Sequence, residues 1–110
     1  MTREQQFRKL MALSTLKLDA SLATLQQAAK AREQSLNRLA DLDRPNTVEG
    51  LGLVAAEEVA LRYQRWADLR RMEINQTLAR QTAEWLTSRD AATQAFGKAE
   101  ALKSLRDKLR

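Results

Sequence analysis

The chain has 110 residues, a formal charge of +5 and 30% charged side chains, with three Gly, one Pro and neither Cys nor His. So few turn formers among so many Ala, Leu and Gln exclude a many-turned sheet protein and point to long helices or coiled coils in one domain. Without an imidazole or a thiol, nucleophilic cysteine chemistry, histidine general-base chemistry and a Cys/His zinc site are all excluded, so no enzyme, metal or cofactor is expected.

The opening segment MTREQQFRKLMALSTLKLDA scatters Lys and Arg among its apolar positions and lacks the unbroken apolar core of a signal peptide. From residue 4 to residue 43 there is neither Gly nor Pro. Phe7, Met11, Ser14, Leu18, Leu22, Leu25, Ala29, Leu36 and Leu39 recur in steps of three and four, which predicts one helix over 4–43. Arg32 interrupts the stripe, and its uneven steps predict a heptad that is not strict, with local relaxation of the supercoil. Leu10, Leu13 and Leu16 widen the apolar face over residues 7–18, which suggests more than one neighbour there.

The segment DRPNTVEGLG, 43–52, breaks the pattern. Pro45 disfavours helical geometry at Arg44 and brings no backbone donor, so the first helix is expected to stop near Asp43. Asn46 or Thr47 offers a cap for the next helix, with Glu49 spaced from Asn46 as in a capping box. The segment has neither the Lys nor the glycine spacing of a nucleotide loop. Its apolar run LGLVAA, 51–56, is the longest uncharged one and falls far short of the roughly 20 residues of a membrane span, so a cytoplasmic protein is expected.

From residue 53 to residue 109 only Gly97 interrupts helical composition, and a second helix is predicted over 53–109. Its seam runs through Ile74, Leu78, Trp85, Ala92, Ala95, Ala99, Leu102 and Leu109, with Gln81, Ser88 and Arg106 at seam positions, and Val59, Tyr63, Trp66 and Leu69 extend a stripe upstream. Neither helix buries its apolar face alone. The expected fold is therefore all-α: two long helices in an antiparallel coiled-coil hairpin with unequal arms, about 60 and 85 Å long. Pairing outward from a short turn at 44–52 would leave about the last 18 residues beyond the first arm, with Phe96 and Leu102 uncovered.

Charge follows the same geometry. Arg3, Arg8, Lys9 and Lys17 against Glu4 give the first 17 residues a net +3. Lys98, Lys103, Arg106, Lys108 and Arg110 against Glu100 and Asp107 give the last 19 another +3. A hairpin brings both segments to one end as a positive tip. No DNA or RNA motif accompanies it, so nucleic acid is not an expected partner. Individually these side chains read as solvated charges, and collectively as a docking surface.

The second helix resembles the flagellar and type III secretion export-stalk proteins, FliJ and its YscO-type relatives. The similar residues are YQRW at 63–66, EINQTLARQTAEWL at 73–86 and SRDAATQAFGKAEALKSLRDK at 88–108, while FRKLMALSTLKLDAS at 7–21 is similar to the family's opening helix in pattern. The resemblance implies a stalk without catalytic residues, peripheral to the inner-membrane export apparatus. Its paired ends would enter the hexameric export ATPase through Arg3, Arg8, Lys9, Phe96, Lys98, Leu102, Lys103, Arg106 and Lys108. Tyr63, Trp66, Arg70 and Glu73 would face the cytoplasmic linker of the export-gate membrane protein, and export chaperones are further implied partners. From the residues themselves, Tyr63 is expected to be largely packed, Trp66 more exposed and Trp85 in the seam. A helical secretion chaperone or coiled-coil adaptor, holding a client helix along 7–18, is the alternative, and an RNA-binding hairpin a third.

Overall fold

The computed structural model describes residues 2–44, Gly50 and residues 52–109. Two helices account for nearly all of them: α1, Arg3–Leu42, and α2, Leu53–Lys108. They lie antiparallel along a rod with extents of 83 × 21 × 20 Å, which is two helix diameters across.

α1 opens on a cap at Thr2. The Thr2 hydroxyl accepts from the Gln5 backbone N–H and the Gln5 side chain accepts from the Thr2 N–H, a reciprocal capping box. At the other end, the Asp43 N–H donates to the Ala40 carbonyl and the Arg44 N–H to that of Asp41. The expected caps at Asn46 and Thr47, with Glu49, lie outside the described residues. α2 starts instead with Gly52 at the capping position and no side-chain cap. Gly50 has φ +82°, a left-handed conformation that favours glycine.

The half-buried and buried positions of α1 are Phe7, Met11, Ser14, Leu18, Ser21, Leu25, Ala28, Arg32, Ser35, Leu39 and Leu42, with Ala31 and Leu36 beside them. This is an unbroken alternation of fours and threes, and it corrects the expected irregular stripe. Leu22, 48% exposed, and Ala29 stand outside the seam. Ranking positions by apolarity favours Leu22 over Ser21, whereas two close helices accept the smaller side chain. In α2 the seam passes through Ala67, Arg71, Ile74, Leu78, Gln81, Trp85, Ser88, Ala92, Ala95, Ala99, Leu102 and Arg106. Upstream, Trp66 and Leu69 are exposed rather than seam members.

Register is the larger correction. Asp43 meets Arg71 at 3.0 Å, Ser35 meets Gln81, and Arg32 reaches Thr82 at 3.1 Å. At the far end Phe7 and Met11 share a groove with Arg106 and Leu109. A tight turn would have set Asp43 against Leu53, but its partner lies roughly 18 residues and about 27 Å further along α2. The C-terminal segment is therefore covered by the start of α1, with Ala92 and Ala95 buried and Leu102 half-buried. The overhang is at the opposite end: with Asp43 against Arg71, about 18 residues of α2 from Leu53 onward extend some 27 Å past the end of α1.

The core is thin. Leu42, Ala67 and Ile74 form its buried cluster, with Leu39 and Tyr63 packed against it. Burying a Leu or Ile contributes about 1.5–3 kcal/mol, so so few large buried side chains leave stability dependent on the helices' own propensity and on cross-helix polar contacts.

Candidate functional site: a basic tip and an uncovered helix end

The tip is built where the start of α1 runs beside the end of α2. Arg3, Arg8, Phe7, Met11, Arg106 and Leu109 line an open groove of about 830 Å³, with Glu4, Gln6 and Leu10 at its edge. Around it the cations outnumber the anions. Glu4 pairs with Arg8 at 3.5 Å and Asp107 with Arg106 at 3.4 Å, both solvent-exposed contacts of small energetic weight. Arg3, Lys9, Lys98, Lys103 and Lys108 make no ion pair among the described residues. Two helix termini thus present a cationic rim around an apolar floor. The two α2 cations nearest the C-terminus also complement the negative end of that helix dipole.

Phe96 is 55% exposed although α1 covers the neighbouring Ala95, because it points off the seam. Its exposure comes from orientation, and the uncovered tail expected from a tight turn does not exist. Leu102, by contrast, lies half-buried in the seam. Of the nine tip residues singled out from the sequence, the hairpin brings the early and late basic residues to one end, while Phe96 and Lys98 sit further down the shaft.

The second constellation straddles the end of α1. Tyr63 packs on the core cluster, and its ring centroid lies 5.7 Å from that of Trp66 with the planes tilted by 40°. Trp66 itself is 54% exposed. One and two turns on, Arg70 pairs with Glu73 at 3.0 Å, and both border a small groove with Ser35, Arg38, Ile74 and Thr77. The four residues form a continuous row, half on the overhang and half beside α1.

Three sets of polar contacts leave no mark in the periodicity of the sequence. The Arg71 guanidinium donates to Asp43, to Asp68 and, at 3.4 Å, to the Leu42 carbonyl, fastening the last turn of α1 to α2. Ser35 donates to Gln81 beside Arg32–Thr82, so the polar interruptions of one seam satisfy those of the other. Arg32 and Arg89 sit 5.3 and 5.5 Å from the Trp85 ring centroid, cation–π contacts of about 0.5–1 kcal/mol each at such a partly exposed site. Periodicity marked Arg32 and Gln81 as exceptions, and only the actual offset of the two helices gives them their partners, Thr82 and Ser35. Further exposed apolar side chains, Leu53, Val54, Leu61 and Met72, lie on or near the overhang.

The fold and these two surfaces define a class: an antiparallel α-helical hairpin with a basic tip and an uncovered helix end. Comparison with protein-family models, characterised proteins and solved structures returns no match for this chain. Among the described residues there is no cluster of three metal-ligating side chains and no helix long and apolar enough to cross a membrane.

Proposed function

We propose that this chain is a non-enzymatic stalk of a flagellar or type III protein export ATPase, working in the cytoplasm beside the inner-membrane export apparatus. The observation that carries the reading is that both basic termini lie side by side at one end of an 83 Å rod. A narrow, positively rimmed two-helix end suits entry into an acidic pore, where charge complementarity guides docking and the apolar floor supplies contact. The row Tyr63, Trp66, Arg70 and Glu73 lies near the other end of the rod. A stiff body could thereby touch the ring at its tip and the gate at its far end.

Stimulation of ATP hydrolysis by the cognate export ATPase tests this. The triple variant Arg8→Glu, Lys103→Glu, Arg106→Glu is expected to lose the stimulation while keeping its helical circular dichroism. Undiminished stimulation by that variant would remove tip insertion from the account. A secretion chaperone or adaptor is the second reading, favoured by Leu10, Leu13 and Leu16, all exposed on the outer side of α1.

A further inference from the structure

We infer that one flank of the basic end adsorbs to an anionic lipid bilayer, lying flat in its interface without crossing it. The grooves along the shaft fix which residues share that flank: Lys17, Ala20 and Thr24 of α1 lie there with Ala91 of α2, and Thr24 and Ala31 with Thr87 and Glu84. Side chains seven apart on paired helices keep to one flank. Arg3 and Leu10 therefore join Lys17, Leu13 joins Ala20, Lys98 and Leu105 follow Ala91, and Lys108 follows Thr87. Lys9 and Leu16, each one turn from Leu13, form the outer edge. The two helices are joined at the far end of the rod, away from this face.

Charge is sorted between the two flanks. Arg3, Lys9, Lys17, Lys98 and Lys108 all lie on this one, and none makes an ion pair among the described residues. The carboxylates of the same stretches, Glu4, Asp19, Glu100 and Asp107, lie elsewhere. Glu4 is in line with Met11 of the seam, and the other three stand within a turn of Leu22, Phe96 and Lys103 on the opposite flank, where Asp43 and Thr82 make their contacts. Among the cations sit Leu10 (50% exposed), Leu13 (62%), Leu16 (64%) and Leu105 (46%). Leucines ringed by cations without a carboxylate match a bilayer interface, where apolar side chains sink to the acyl boundary while lysine stems carry their ammonium groups back to the phosphates. A second copy's like flank would be repelled, and a nucleic acid gains nothing from four exposed leucines. Because Arg3, Lys9, Lys98 and Lys108 also belong to the tip, lying on lipid and docking in a ring are alternative states of the chain.

Co-sedimentation of the purified chain with vesicles tests this independently of the export-stalk reading, since no ATPase is present. Vesicles of phosphatidylcholine with roughly 30% phosphatidylglycerol are expected to bind it, phosphatidylcholine alone is not, and added salt should weaken the binding. Each cation near such a surface strengthens binding about fivefold, so Lys17→Glu, Lys98→Glu should weaken it at least about tenfold. Arg62→Glu, Arg65→Glu changes the net charge equally but away from the flank, and should stay within about twofold of the unaltered chain. Leu13→Gln, Leu16→Gln, at exposed positions outside the seam, should also cost at least about tenfold, with helical circular dichroism showing every variant folded. Four outcomes would each overturn the inference: no binding to the anionic vesicles, equal binding to the neutral ones, equal damage from the two charge reversals, or indifference to loss of the leucines. The last would leave only a general polyanion surface.

Discussion

Ser14 sits in the α1 seam with its hydroxyl buried and without a hydrogen-bond partner, whereas Ser35, 1% exposed, donates to Gln81. The same residue type therefore has opposite energetic meaning at two positions of one helix. An unmade buried hydrogen bond costs the desolvation of its group, and a made one recovers it. Ser14→Ala should consequently raise unfolding stability by about 0.5–1 kcal/mol in a urea titration, helped by alanine's better helix propensity. A destabilised variant would mean that the hydroxyl is satisfied. Individual side chains were unevenly legible in the sequence. Tyr63 packed and Trp66 exposed followed from the neighbouring arginines and the closeness of the break, and both hold. Arg71 gave no such signal, because its partners, Asp43 and the Leu42 carbonyl, become neighbours only in the long register.

At the scale of the element, both helices were legible from uninterrupted composition, since 40 and 56 residues without a strong breaker leave little else for the backbone to do. Gly97 is the one internal weakness of α2. Open space surrounds the position a Cβ would take, and the residue is exposed within the helix. Gly97→Ala should add about 0.5–1 kcal/mol, read as an increase in the thermal midpoint, because alanine loses less backbone entropy on ordering. No change, or a loss, would imply an unrecognised need for glycine there. Pairing of the elements was less legible. A proline-containing break suggests a tight turn, and a tight turn dictates one register. The actual register is set by where Leu42, Ala67 and Ile74 cluster and by the polar pairs Ser35–Gln81 and Arg32–Thr82. A polar residue at a seam position fixes alignment at some cost in stability, and here three of them, Arg32, Ser35 and Gln81, agree on one offset.

For the whole molecule, that offset decides which end is bare. The expected fraying C-terminal tail is replaced by a paired, cationic tip, and the bare segment moves to the start of α2, where Leu53, Val54 and Leu61 are exposed. The basic tip survived the correction because charge clusters at both termini converge in any antiparallel hairpin, whatever the slip between its arms. Tip docking depends on how far the arms are offset. Since the chain has no native cysteine, spin labels attach cleanly to Arg8→Cys and Lys103→Cys, and the dipolar coupling between them reads the offset directly. With the arms as described, the labels should lie within about 20 Å of one another, an interaxial separation plus the label tethers. A separation of about 25–30 Å would restore the tight-turn register with its free tail, and one beyond about 100 Å would mean a single unbroken rod with no tip at all.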